Sequence, residues 1–215
     1  MKLKSVVMRG FLLCCGLVAM AGVTHLRAEE TPQNWNMGFA LTFPQGSGPA
    51  ENALRDGFGL NLNAGYQKPT QMVGFRVDMI YANFHLTDAV ISRLDNATEG
   101  SFDVFGGGAS LVFNPRIGKR VQPSVYAGPG IYHEHAEATW DDSCDPVFGC
   151  PAGGSDYTTT RLNTTRLGWQ GGAGLDFFFD DGGVALSVNV QYIRINNTQV
   201  DMEIMPINVG YKVMF

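Results

Sequence analysis

Long apolar runs are missing from this chain of 215 residues. The one continuous apolar or small stretch, residues 11–23, is 13 residues long, short of the roughly 20 that a helix needs to cross a bilayer. Helix-type apolar periodicity is absent after it, which excludes a helical membrane protein and a helix bundle. Cysteines number four, too few for a disulfide-dense scaffold or a multi-cysteine metal site. Basic residues are outnumbered 15 to 20 by acidic ones, so a nucleic-acid partner is not expected. No catalytic fingerprint stands out, and no cofactor is expected.

What is present begins with an export signal. Lys2, Lys4 and Arg9 precede the apolar run, and the small residue Ala28 follows His25 and Arg27. This is the layout of a secretory signal peptide cleaved after Ala28, with Ala21/Gly22 as the alternative junction. Cys14 and Cys15 follow Leu13 rather than a small residue, so lipidation is not expected. Removing residues 1–28 takes four of the 15 basic residues and none of the 20 acidic ones, leaving 11 against 20 and a net charge of −9. The remaining residues, 29–215, suit a single domain. Cys144 and Cys150 survive processing and bracket the Pro- and Gly-containing stretch 145–149. In an oxidising compartment they are expected to form a disulfide that pinches a loop, contributing about 2 kcal/mol through loop-closure entropy.

From residue 35 onward apolar residues recur at every second position, the period of a strand. Trp35, Met37, Phe39, Leu41 and Phe43 alternate with Asn36, Gly38, Ala40 and Thr42. The same alternation runs through residues 58–66, 73–81, 167–177, 184–192 and 204–215. In these six segments no charged residue shares the apolar parity, whereas Arg76, Asp78, Arg166, Asp176 and Lys212 all fall on the other. A further strand over residues 101–113 changes parity, with Phe102 and Val104 on one face and Leu111 and Phe113 on the other. A bulge or loose rim is expected at Gly106, Gly107 and Gly108 between them. A strand over residues 122–136 has a Gly/Pro-rich centre that leaves its facing open.

A soluble barrel would bury the apolar parity and a membrane barrel the polar one. Five charges with Asn61, Asn63, Asn189, Gln170 and Gln191 are too many polar groups for a dry core, because each unpaired one costs roughly 2–7 kcal/mol. Aromatic residues gather near the strand ends: Trp35, Tyr66, Phe113, Phe177 and Phe215 at one, Phe43, Phe58, Tyr81 and Tyr192 at the other. Connections alternate between long (residues 44–56, 85–100, 137–164, 194–203) and shorter (67–71, 114–121, 180–183). The expectation is an all-β, eight-stranded antiparallel up-and-down transmembrane barrel with both termini at the periplasmic end.

The final strand carries the most specific sign. Asn208, Gly210, Val213 and Phe215 occupy the fixed positions of a pattern that reads polar, any, Gly, any, any, hydrophobic, any, aromatic. That pattern resembles the C-terminal assembly signal of bacterial outer-membrane barrels. Over residues 29–215 the chain resembles the small outer-membrane β-barrels typified by the transmembrane domain of outer membrane protein A. The resemblance implies an outer-membrane location reached through the periplasm. It also implies passage through periplasmic chaperones and the barrel assembly machinery, and a surround of membrane lipids and lipopolysaccharide. A monomer is expected. No peptidoglycan-binding domain follows the barrel, so cell-wall anchoring is not carried over.

Eight strands enclose a space that side chains can fill. Arg76, Asp78, Arg166, Asp176 and Lys212 are therefore expected to form a lumen ionic network that blocks a wide channel; a narrow gated path is the alternative. Non-enzymatic action through the extracellular loops, in envelope integrity or surface interaction, is the expected function. A lipid A-modifying enzyme is the second class, for which catalysis needs a nucleophile beside an oriented base. His133 and His135 share one strand face near Glu137 and form a weak candidate metal site, but no Ser is paired with them.

Overall fold

The computed structural model describes residues 34–68, 70–92, 97–115, 120–141, 157–179, 183–196 and 201–215. The expected signal peptide (1–28) and the Cys144–Cys150 pair lie outside the described residues. Eight strands account for nearly all of the rest: β1 (Trp35–Ser47), β2 (Leu54–Tyr66), β3 (Val73–Leu86), β4 (Ala97–Phe113), β5 (Val121–Asp141), β6 (Tyr157–Phe178), β7 (Val184–Ile195) and β8 (Met202–Met214). Each pairs antiparallel with its sequence neighbour, and β8 returns to β1, closing an up-and-down barrel. At the seam Trp35 and Phe215 exchange backbone hydrogen bonds of 3.0 and 2.9 Å. One four-residue helix, α1 (Asp88–Ile91), lies between β3 and β4.

Strand β3 shows how the sequence sets the two surfaces. Its odd positions Val73, Phe75, Val77, Met79 and Tyr81 are exposed on the outside, while Arg76 and Asp78 are buried in the lumen. Two residues further along, the chemistry exchanges sides. Ile80, Ala82 and Phe84 are buried inside, and Asn83 and His85 face outward. Strands β4, β7 and β8 repeat the exchange, whereas β5 and β6 keep Glu134 and Arg166 on the inner face beyond it. On β7, Asn189 and Gln191 give way inside to Ile193 and Ile195, and outside Tyr192 gives way to Arg194. On β8, Asn208 gives way inside to Ile204, and outside Met205 to Glu203. A belt of exposed apolar side chains therefore covers the barrel from the end bearing Trp35 and Phe215 up to this level. Above it, the far end is built like a water-soluble protein, apolar within and polar without.

The apolar interior of the far end is one packed cluster, including Leu54, Ile80, Phe84, Val104, Tyr132, Ile193 and Ile204, with Phe102 and Met202 against it. Leu54 joins by way of a bulge. The β2–β3 register shifts between Arg55 and Phe58, and the extra residue turns Leu54, otherwise on the lipid-facing parity, into the cluster.

Strand β4 differs from expectation. No bulge interrupts it at Gly106–Gly108, and its ladder with β3 runs unshifted from Val73↔Phe113 to His85↔Ser101. The parity change has another cause. Leu111 and Phe113 face outward where the outside is apolar, and Val104 and Phe102 face inward where the inside is apolar. The glycines serve the lumen: a Cβ on Gly106 would lie 2.4 Å from Tyr132 Cδ1, and one on Gly108 2.7 Å from Gln170 Cδ. Strand β5 resolves in the same way, with Tyr126 and Tyr132 buried inside and Val125 and Ile131 exposed outside. The expected long connection over residues 137–164 begins and ends in strand, as β5 runs on to Asp141 and β6 starts at Tyr157. Pairing continues above the belt through Glu137↔Arg161 and Thr139↔Thr159 to Asp141↔Tyr157.

Truncating the apolar cluster should behave like a core mutation in a soluble protein. Phe84→Ala is expected to destabilise the barrel by about 3–5 kcal/mol in urea unfolding from lipid vesicles. The outward Phe75→Ala, whose surroundings are fluid, should cost clearly less. Equal losses at the two sites would contradict a packed far end.

Candidate functional site

Below the apolar cluster the lumen is filled by a hydrogen-bonded layer to which seven of the eight strands contribute. Gln170 on β6 is its hub. Its Oε1 accepts from Tyr132 Oη at 2.9 Å and Gln191 Nε2 at 3.1 Å, and its Nε2 donates to Ser110 Oγ at 2.9 Å and Asp78 Oδ2 at 3.3 Å. From Gln191 the chain of contacts passes to Asn208, which donates at 3.5 Å to Gln191 Oε1 and at 2.9 Å to Asn189 Oδ1. Thr42 Oγ1 donates to Asn208 Oδ1 at 2.6 Å, and Tyr126 Oη donates to Asn189 Oδ1 at 3.2 Å. Nearly every group in the layer is buried, so the partners matter: a lost one leaves a desolvated polar atom that costs about 1–3 kcal/mol.

Two ion pairs sit in and beneath this layer. Arg76 reaches Asp78 Oδ1 through Nε at 2.8 Å and Nη2 at 2.5 Å, and its guanidinium carbon stands 4.2 Å from the centre of the Tyr126 ring. Lys212 Nζ lies 2.5 Å from Asp176 Oδ2. Charges this buried persist only when paired, and the lumen supplies one carboxylate for each cation. A space of about 30 Å³ remains between them, bounded by Asn36, Arg76, Gln122, Ser124, Asp176 and Lys212, room for no more than a few water molecules.

Arg166 does not join these four. It shares their parity, but β6 carries it past Gln170 to the far rim, where its Nε lies 3.5 Å from Glu134 Oε2. Tyr132 and the apolar cluster separate that pair from the other two. Parity fixes which face a residue takes and says nothing of its height, and Glu134 has no partner obvious from sequence spacing.

The four C-terminal positions have distinct places. Asn208 belongs to the lumen layer. Gly210 lies at the β8–β1 seam, where a Cβ would come within 2.0 Å of the Phe39 carbonyl oxygen and 2.4 Å of Ala40 Cα. Val213 pairs with Met37 and Val184 on the outer surface, and Phe215 is exposed at the aromatic girdle. His133 and His135 are on the outer surface just above the apolar belt. His133 Nδ1 is 2.9 Å from Thr165 Oγ1, and His135 Nδ1–H donates to Asn163 Oδ1 at 2.5 Å. Among the described residues no group of three or more His, Cys, Asp or Glu is arranged to hold a metal ion.

An apolar outer belt between two aromatic girdles, around a closed sheet with an ionic interior, defines a transmembrane β-barrel. The chain belongs to the outer membrane protein beta-barrel domain family, which matches residues 11–215. Among solved structures it is similar to Neisserial surface protein A, with 18% identity and a TM-score of 0.54 over 86% of this chain and 100% of that one. It is also similar to a major outer membrane protein of Thermus thermophilus, with 12% identity and a TM-score of 0.55 over 84% and 99%. A third is Ail, the attachment invasion locus protein of Yersinia pestis, solved with the heparin analogue sucrose octasulfate, with 17% identity and a TM-score of 0.50 over 87% and 100%. At these identities the shared feature is the fold. No curated protein matches the sequence.

Removing one member of a buried pair should cost more than removing both. Asp78→Ala is expected to lose about 3–5 kcal/mol by stranding Arg76, and the double change Arg76→Met with Asp78→Leu to lose less. Urea unfolding in vesicles measures both; a double change that costs more than the single one would contradict the pairing. Gly210→Ala should slow or block barrel closure, read as a smaller fraction of protein with heat-modifiable gel migration. Unchanged folding yield would remove the seam argument.

Proposed function

We propose that this protein is a monomeric, non-conducting and non-enzymatic barrel of the bacterial outer membrane that acts through its extracellular end, in envelope integrity or surface interaction. The observation that carries this reading is the lumen. A polar layer with two ion pairs lies below an apolar cluster, and side chains of both kinds stand across the lumen. Solute passage would require breaking paired charges and a packed core together. The remaining surfaces are the lipid-facing belt and the extracellular end.

Export through the periplasm, chaperone escort and reading of Asn208, Gly210, Val213 and Phe215 by the assembly machinery complete the proposal. It is supported by Lys2, Lys4 and Arg9 ahead of the apolar run 11–23 and by the strand alternation through residues 208–215. The sulfated ligand of Ail does not transfer readily. Among the described residues of the extracellular end, acidic side chains outnumber basic ones and include Glu51, Asp56, Asp88 and Glu137, and these would repel a polyanion. A lipid A-modifying activity draws little support. The hydroxyl beside His133 is that of Thr165, and the rim carboxylate Glu137 lies 3.6 Å from Nε2 of a different imidazole, His135, whose Nδ1 meets the Asn163 amide rather than a hydroxyl.

Planar-bilayer recording tests the central point. Folded protein is expected to leave the bilayer at baseline conductance. Reproducible unitary steps that disappear on heat denaturation would overturn the closed-lumen reading.

A further inference from the structure

Above the belt, among the described residues, the sheet is no longer closed. Strand β6 pairs with β7 no further than Gly168↔Ile195, beyond which the Asn196 N–H donates to the Leu167 carbonyl oxygen at 3.0 Å. On its other side β6 stays paired with β5 as far as Asp141↔Tyr157. Successive residues of a central strand turn their main-chain groups to opposite neighbours. Leu167 turns its carbonyl toward β7, so Thr165, Asn163, Arg161 and Thr159 turn both N–H and C=O to that same side. Among the described residues none of these four has a backbone partner there.

Sheet edges are ordinarily blunted by a bulge, a proline or closely set charges. The far edge of the same wall is blunted in this way, because the β4–β5 register shifts between Ala97 and Glu99. The β6 edge is not. Its register with β5 runs unshifted to the top, and residues 157–166 contain neither Pro nor Gly. Thr occupies five of the eight positions 158–165, and β-branched residues favour a flat, extended backbone. Leu162, on the inner parity opposite Ala136, is 67% exposed. The edge therefore combines vacant main-chain donors and acceptors with an uncovered apolar side chain.

Resting on the reading that this protein acts through its extracellular end, we propose that the upper edge of β6 docks an extended segment of a water-soluble protein. The segment adds to the sheet antiparallel to β6, in line with β7. Residues opposed across a sheet share a face. Those bonded to Asn163 and Thr165 therefore point outward and are polar, while the alternate ones are apolar and cover Leu162. The chain's own β7–β8 connection, residues 196–201, is too short to run up this edge to Thr159 and return. Two copies in one membrane present β6 in the same direction, which rules out antiparallel pairing between them. The acidic residues of the extracellular end favour a neutral or basic segment.

The test uses the folded full chain in detergent micelles, with folding verified by heat-modifiable migration, and two synthetic peptides of one sequence. Both alternate Thr and Val and end in Lys. One is N-methylated on every Val, which leaves the Thr main-chain edge open; the other is N-methylated on every Thr. Either methylation stops the peptide from stacking on itself, and fluorescence anisotropy of a dye on the peptide reads binding. The Thr-open peptide is expected to bind about tenfold more tightly, because only it bonds to β6 with Val turned toward Leu162. Asn163→Pro removes an edge donor and no bond to β5, and should weaken that binding about tenfold. If this variant does not fold, Leu162→Ser at its exposed position gives the same test, with an expected loss of about threefold. Absent binding, equal binding of the two peptides, the reverse preference, or binding unchanged in the folded variant overturns the proposal. Sedimentation of the wild type as a dimer that Asn163→Pro abolishes would assign the edge to a second copy and overturn it too. None of these outcomes touches the closed barrel, whose failure would appear as conductance in planar bilayers.

Discussion

A backbone that crosses lipid must satisfy all its hydrogen bonds within the sheet, and its side chains must then be sorted by what lies on each side of that sheet. In this barrel the sorting rule reverses once, at the level of Tyr81, Phe105 and Tyr192. Below that level hydrocarbon is outside, so Arg76, Asp78, Asp176, Lys212 and the amide layer go inside. Above it water is outside, so Ala82, Phe84, Val104, Ile193 and Ile204 go inside. The two halves of the lumen are opposite in polarity because the solvent around them is opposite, although the strands run through unbroken.

The closed lumen follows from this reversal. A polar interior alone could hold water and conduct. Here the extracellular half of the same interior packs as a hydrophobic core, and Tyr132 bridges the two, its ring beside the glycines Gly106, Gly130 and Gly168 and its hydroxyl on Gln170. The ionic pairs below are screened from the extracellular side by that core. A barrel closed in this manner offers partners its outer surface, and among the described residues the paired strands β5 and β6 extend well beyond the belt.

Much of this was legible in the sequence, because one parity of each clean strand faces a single solvent for most of its length. Period-2 alternation located six strands and put all five predicted charges on the lumen parity. The reading ran out where the reversal falls inside a strand. On β4 the apolar residues change parity between Phe105 and Val104, which looks like a bulge to anyone counting a single regime. A true bulge, near Leu54, left no comparable mark. Arg166 had the right parity and the wrong height, since alternation carries no coordinate along the barrel axis. The glycines of β4 and β5 obscured the facing because their role lies in the bulk of Tyr132 and Gln170 across the lumen.

The reversal is tested most directly by nitroxide labels placed singly at positions 77, 79, 81, 83 and 85 of β3 in protein reconstituted into vesicles. Their collision rates with oxygen, which partitions into lipid, are compared with those of a water-soluble nickel chelate. The account predicts lipid-type accessibility at 77 and 79, an interfacial value at 81, and water-type accessibility at 83 and 85. Lipid-type accessibility continuing through 83 and 85 would contradict it, because Ala82 and Phe84 would then line a lumen still within the bilayer.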